Sequence, residues 1–539
     1  MEVVVESVVT KRLGALPVAA EFLRRLDVAG IVDVLCPPDP RADVTHGQVI
    51  EVLVANRLTS PAPLFRVGDR AREWAVEEVF GIEAGLLNDD RLARALDAIA
   101  PHLDRLAGSV GAAAIGAFGV DTARIHWDMT SMSVHGAYPA EDQDDDYPVV
   151  KYGHPKDRRV DLKQIQAGLG VSSDGGVPVH AKVFDGGAGE VAQVVDAMKA
   201  LRQLANERRL LLVADSKLYS WGNIAALLEA GVDFIAPVPA AKVPDALYAG
   251  LDLEQAAPVD YTAEREERLP PEQRGRYRVL EDVHRIPGPR KRDRMLQVRR
   301  ILVHSTGSAA GQRQAREKRL AKAAAELAKV QRGAGGRYYG TPEKIAARVG
   351  VIAKTRRVAS CLRTAITTDE QGRPALEWSF DEQVLQAEAA ADGWYALLTS
   401  RPPEASDAAQ VLLDYKGQGG IERRYGDFKG PLAVTPVFVQ HNRRVAALVQ
   451  VICLALLVYC LIERQVRRAL GGDGRMQGLY PNGQRVRPTA RMILYHLGQL
   501  QLRIGSATDP PTVLMARGIH LHLLDLLGLD VAQPRWLPT

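Results

Sequence analysis

Cysteine is scarce. Only Cys36, Cys361, Cys453 and Cys460 occur in 539 residues, and no two form a C-x-x-C pair. That excludes a disulfide-stapled scaffold and argues against a cysteine-based zinc site; buried structural thiols in a reducing compartment fit better. An excess of one charge is also missing. Lys plus Arg is 69 and Asp plus Glu is 65, a net charge of +4, so the overall balance names no partner. The opening MEVVVESVVTKRLG has no basic segment followed by an apolar one, which argues against a secretory leader. Only one long apolar run is present, Val445 to Ile462, with Gln450 as its only strongly polar residue. As a helix it would be about 27 Å long, enough for a thin bilayer. Arginines flank both ends and give no orientation bias. The expectation is a helix buried all round in a large core, with no membrane partner.

What is present is ordinary globular material. The chain is 46% apolar and 25% charged, enough for at least one large core and, at roughly 150 residues per domain, three or four domains. Residues 1–110 read as helical. Leu16, Ala19, Ala20, Leu23 and Leu26 form a stripe, Thr45 and Gln48 suit a capping box, and Asn88 suits the cap of DDRLARALDAI. Several short helices in series with scattered arginines suit either a helix-turn-helix-like binding module or a plain helical bundle. After Gly116 the period changes. Strands are expected at Ala123–Val134, Lys163–Gly170, Val177–Phe184, Leu210–Ala214 and Phe234–Pro237, with SSDGG turning an antiparallel hairpin. Helices are expected at Glu190–Glu207 and Trp221–Ala230, giving a mixed α/β domain.

Residues 240–390 look different. Arg285 to Arg332 holds 14 Lys or Arg against 3 Asp or Glu, a local charge of +11. An alanine-rich charged helix is expected over Gln312–Val330, with strand-like pieces at 276–280, 297–305 and 349–355. GWYALLTS (393–400) returns to a core-strand pattern, as if an α/β domain were interrupted by a basic insertion. Residues 411–470 read as mostly helical. The stretch Pro481–Gly505 reads as a tail ending in another helix.

Three carboxylates stand out. Asp128 lies within I-H-W-D-M, where a lone charge is costly unless paired, hydrated or metal-bound; a solvated edge-strand Asp is the competing reading. Asp215 ends the strand LLLVAD, where α/β sheets place ligands; a cap for the following turn is the alternative. Glu422 lies in YKGQGGIERRYGDFKG. Tyr415, Gln418, Glu422 and Lys429 are spaced to share one helical face. Against a plain solvated helix stand Gly417, Gly419 and Gly420, each costing about 1 kcal/mol relative to Ala. Three such acids can converge on a pair of divalent cations for phosphoryl transfer, and the basic stretch supplies a surface for a polyanion.

With these motifs the chain resembles DDE transposases of bacterial insertion sequences, in the group with a Y-(2)-R-(3)-E-(6)-K signature. Here that signature reads Tyr415, Gln418, Glu422 and Lys429. HWDMTSMSVHG matches the first acid, LLLVADSKLYS the second, and DGWYALLTS the strand that re-enters the core. The long helical segment after Glu422 and GLYPNGQRVRPTAR match the family tail. The resemblance implies an RNase H-like mixed-sheet core interrupted by a basic β-rich insertion, with an N-terminal helical domain and a helical C-terminal tail. Its segments would be 1–115 (DNA-binding), 116–240 (core), 241–390 (insertion), 391–470 (core with the Glu helix) and 471–539 (tail).

It also implies that Asp128, Asp215 and Glu422 hold two Mg²⁺ or Mn²⁺ ions and cut and join DNA. Tyr415, Gln418 and Lys429 would contact DNA near the cut. Gln418 stands where Arg is usual and lacks the charge and the bidentate clamp. Further DNA contacts are expected at Arg290, Lys291, Arg292, Arg299, Arg300, Arg316, Lys318 and Arg319, and Trp378 is a candidate base-stacking residue. The implied partners are double-stranded DNA with terminal inverted repeats, target DNA and a second copy of the chain, in the bacterial cytoplasm. A transposase-derived DNA-binding protein without turnover is the alternative.

Overall fold

The structure is a computed structural model, and it describes residues 9–139, 146–205, 209–433, 437, 439–505 and 511–529. The chain forms two compact units. One comprises 1–218, 226–233 and 417–539, and the other 219–225 and 234–416.

The first unit opens with helices. The expected stripe lies on the helix Leu16–Arg25, and a second helix, Val28–Leu35, starts after Asp27, which adopts a left-handed φ of 52°. The helix His46–Thr59 begins with the anticipated capping box, in which Thr45 accepts from the Gln48 N–H at 3.1 Å and Gln48 accepts from the Thr45 N–H at 2.9 Å. Asn88 caps Asp89–Ile99. A mixed sheet follows, in the order Pro178–Phe184, Lys163–Ser172, Arg124–Val134, Leu211–Ala214. Its first three strands are antiparallel, and the last runs parallel to Arg124–Val134. The SSDGG turn closes the hairpin with Gly175 at φ 81° and Gly176 at φ 66°, a conformation that disfavours side chains. A Cβ at either glycine would also fall 2.8 Å from an arginine side chain.

The helix Glu190–Ala205 forms as expected, while positions 206 and 207 of that expectation lie outside the described residues. The long apolar run is the middle of a 29-residue helix, Asn442–Leu470, whose most apolar 18-residue stretch is wholly buried. It packs against His46–Thr59, Asp89–Ile99, Pro178–Phe184 and Gly518–Leu527. Asp97 accepts from Arg443 at 2.8 Å and Arg444 at 2.7 Å, which ties its first turn to the N-terminal helices. The tail does not end in a helix by Gly505. The helix Ala490–Leu497 comes first, and Gln501–Ile504 is a strand between Val9–Arg12 and Thr512–Leu514. The two alternating apolar side chains there, Leu502 and Ile504, suit a strand rather than a helical turn.

The second unit contains an antiparallel sheet in the order Asp233–Pro237, Trp394–Thr399, Leu296–Ser305, Tyr277–Ile286, Ala257–Val259. Two strands expected inside the insertion therefore belong to the same sheet as Trp394–Thr399. The region 241–390 is not β-rich: it carries more helix than strand. Residues 349–355 belong to the helix Pro342–Thr355, not to a strand. The reason is local. Thr341 caps it, Pro342 occupies its first turn, and Ile345, Val349 and Ile352 recur at helical spacing. These three pack with Ala323, Leu327 and Val330 of the 27-residue helix Thr306–Arg332 and with Leu376 of the hairpin Leu362–Thr368/Pro374–Phe380, forming a separate small core.

Candidate active site

Asp128 and Asp215 are brought together by strand register. Trp127 and Ala214 are partners in the parallel pair, so Asp128, still inside its strand, and Asp215, just past the end of its own, lie side by side at the same level. Strands in such a pair lie about 4.8 Å apart. Asp128 is 15% exposed. Burial pushes its carboxyl up to about 6; Lys156 and the Met129 N–H oppose this, and the nearby Asp215 charge adds to it. Asp215 is half-buried, and its Oδ1 accepts the Lys217 N–H at 2.9 Å, so it also caps the turn that follows its strand.

The third acid stands apart. The four signature residues do not share one helix. One helix ends at Lys416, and a second, Gly419–Lys429, begins after Gln418, which occupies its N-cap position. The glycines that would weaken a continuous helix mark this break. Tyr415 lies in the second unit, whereas Gln418, Glu422 and Lys429 lie in the first. Glu422 is exposed and makes no side-chain hydrogen bond or ion pair among the described residues. Lys429 lies within electrostatic reach of Asp157, Lys156 and Asp128; desolvation lowers its ammonium pKa, against the attraction of Asp157.

The Glu422 helix is nonetheless fastened to the Asp128 strand. Tyr425, one turn after Glu422, donates its hydroxyl to the Asp128 carbonyl oxygen. Arg424 donates to the carbonyls of Gly176 at 2.9 Å and Gly175 at 2.6 Å, and pairs with Glu463 at 2.8 Å. Glu463 also accepts from Arg467 at 2.7 Å and from the Ala490 N–H at 3.0 Å. Thus the long buried helix, the hairpin turn and the Asp128 strand together hold Gly419–Lys429 in place.

Sequence reasoning passed over these anchors. Tyr425 and Lys429 stand three and seven positions after Glu422, a helical spacing that could have singled out Tyr425. It also passed over Lys156, whose Nζ lies 3.2 Å from Asp128 Oδ1 and 3.6 Å from Glu190 Oε1 and donates to the Met129 carbonyl. No motif marked Lys156, because a turn 28 residues along the chain delivers it.

Among the described residues, no three His, Cys, Asp or Glu side chains converge to hold a metal ion. The donor set of Asp128 and Asp215 still suits Mg²⁺, which takes oxygen ligands and retains waters. A cationic ammonium already seated on Asp128 and a neighbouring carbonyl marks a place that favours positive charge.

The expected DNA contacts divide. Arg290, Lys291, Arg292 and Lys318 are exposed. Arg299 and Arg300 are not free cations. Arg299 bonds Glu281 and the carbonyls of Arg401 and Ser406, and Arg300, 8% exposed, pairs with Asp282. Arg316 pairs with Asp392 at 2.6 Å, and Arg319 pairs with Glu388. These contacts neutralise four charges that the sequence alone presents as available. Trp378 is half-buried, packs on the small core and meets Phe380 edge-on, with ring centroids 5.6 Å apart.

A mixed sheet that sets Asp128 beside Asp215 and is flanked by helices defines an α/β protein. The family described as "Transposase DDE domain" matches residues 125–458, and the chain belongs to it. Residues 8–104 match a domain of unknown function (DUF4277). No curated protein matches the chain. Among solved structures, a piggyBac transposase synaptic complex with hairpin DNA is similar over 99% of this chain and 88% of that one. Its TM-score is 0.39 and its sequence identity 9%.

Proposed function

We propose that this protein is a DNA transposase that cleaves its element at terminal inverted repeats and joins the ends to target DNA, using an RNase H-like core. The observation that carries this reading is the register pairing of Asp128 and Asp215 inside the matched family region. Asp128, Asp215 and Glu422 would hold two Mg²⁺ or Mn²⁺ ions. Such ions activate a water or a 3′-hydroxyl and stabilise charge on both sides of an in-line displacement. Glu422 would complete the set from the helix that Tyr425 fastens to the Asp128 strand.

Within the chain, Asp128 and Asp215 supply adjacent negative charge, and Tyr425 sets the distance of the Glu422 helix from the Asp128 strand. Tyr415, Gln418 and Lys429 would meet DNA near the cut. Arg290, Lys291, Arg292 and Lys318 would meet phosphates further away, with steep salt dependence. The N-terminal region 1–115 would bind the element end, and two copies would pair two ends in the bacterial nucleoid.

The test is cutting of a terminal-inverted-repeat duplex with Mg²⁺ or Mn²⁺. Asp128→Asn, Asp215→Asn and Glu422→Gln are each expected to lower cleavage by about 10³-fold or more while leaving duplex binding intact. Undiminished cleavage by any of them removes that residue from the site. Specific duplex binding by the unaltered protein without metal-dependent cleavage supports a DNA-binding protein lacking turnover instead.

A further inference from the structure

The acidic site contains its own cation. Lys156 is delivered by a turn fastened to the Asp128 strand at two points: its N–H donates to Ser131 Oγ at 2.9 Å, and Asp157 Oδ2 accepts from Ser133 Oγ at 2.7 Å. Arg158 closes the turn with a φ of 63° and an N–H bond to the Pro155 carbonyl at 3.1 Å. The ammonium therefore reaches Asp128 from a fixed base, not from a loose surface loop. Its ligands are a carboxylate oxygen at 3.2 Å and the Met129 carbonyl, oxygen donors of the kind a hard divalent cation takes. Glu190, the first residue of its helix, lies 3.6 Å away on the same ammonium.

We propose that Lys156 is a resident cation of this site, occupying Asp128 in the metal-free protein, and that metal loading transfers its ammonium to Glu190. The proposal rests on the reading of Asp128 as a metal carboxylate. Lys156 and a metal ion would both draw on the one Asp128 carboxylate, and two cations held a few ångströms apart there repel, so lysine and metal compete. Glu190 gives the displaced ammonium a partner, so that metal entry does not strand a charge. Lys156 then acts as a positioning residue that keeps metal affinity low.

The experiment titrates Mn²⁺ into the full-length protein without DNA and follows free Mn²⁺ by electron paramagnetic resonance. K156M is expected to bind roughly tenfold more tightly than the unaltered protein, and E190Q roughly tenfold more weakly. D128N should bind at background level. Adding E190Q to K156M should change nothing further, because the ammonium that Glu190 receives is gone. K156Q serves in place of K156M if the latter gives no cooperative thermal unfolding. Equal or weaker Mn²⁺ binding by the lysine variant overturns the proposal while the metal reading of Asp128 stands. Additional weakening by E190Q in the K156M background overturns the role of Glu190. If no variant shows Asp128-dependent Mn²⁺ binding, the metal reading falls, and this inference with it.

Discussion

Two helices of nearly equal length behave in opposite ways. Asn442–Leu470 has 29 residues, and its apolar middle is wholly buried in the first unit. Thr306–Arg332 has 27 residues, and only Ala323, Leu327 and Val330 are buried, in the second unit. The first carries few charges, yet Glu463 and Arg464 are 1% and 4% exposed; Glu463 pairs with Arg424 and Arg467, and Arg464 pairs with Asp174. The second carries many charges, most of them solvated. A buried charge must be matched by geometry, and here that matching fixes the Glu422 helix. A solvated charge is free to serve a ligand, unless a neighbouring acid takes it, as Asp392 and Glu388 do.

The largest expected effect tests that contrast directly. Glu463→Gln leaves Arg424 and Arg467 buried without a full counter-charge and should cost about 3–5 kcal/mol. Glu326→Gln, which disturbs the pairs to Arg348 and Arg356 on the exposed helix, should cost under about 1 kcal/mol. Urea unfolding of both variants measures the difference, and equal losses would break the comparison.

Buried carboxylates without a cation sharpen it further. Burial alone would raise Glu463, but Arg424 and Arg467 hold it below the usual range. Burial pushes Glu51 up to about 7, opposed only by the Ala29 N–H. The signs are opposite. Glu463 contributes stability above its unfolded pKa that is lost as pH falls through the folded value. Glu51 favours the folded state while protonated, and that contribution is lost as pH rises from about 4.5 towards 7. Glu51→Gln should therefore gain on the order of 1–3 kcal/mol over the unaltered protein at pH 8 and almost nothing at pH 4. Thermal unfolding across that range reads it.

The smallest effect concerns the link between the helix and the site. Tyr425→Phe removes one hydrogen bond to the Asp128 carbonyl and should cost about 1 kcal/mol of stability. Cleavage should fall by more than that stability loss explains, because Glu422 sits one turn away on the same helix. Parallel denaturation and cleavage measurements separate the two.

The residues Thr45 and Gln48, Asn88, SSDGG and Val445–Ile462 announced their structures because the signals are local: capping oxygens, φ-permissive glycines and an unbroken apolar run. The nearness of Asp128 to Asp215 was less plain, because it comes from the pairing of two strands far apart in the chain. The same local reasoning misjudged 349–355, where a Thr-Pro cap outweighed β-branched residues. It also overran the glycines that end one helix before Gln418 and start another.

By itself the sequence determined that Asp128 lies within a strand and Asp215 at the end of one, where caps and turns fall, and which helix must be hidden from water, since composition and spacing act within a few residues. Only the tertiary structure decided which charges are available. The pairing of Arg299, Arg300, Arg316 and Arg319 with acids, the seating of Lys156 on Asp128, and the clamp from Arg424 to Glu463 join residues 18 to 76 positions apart. Coulomb and hydrogen-bond energies depend on distance through space, which the order of residues along the chain does not state.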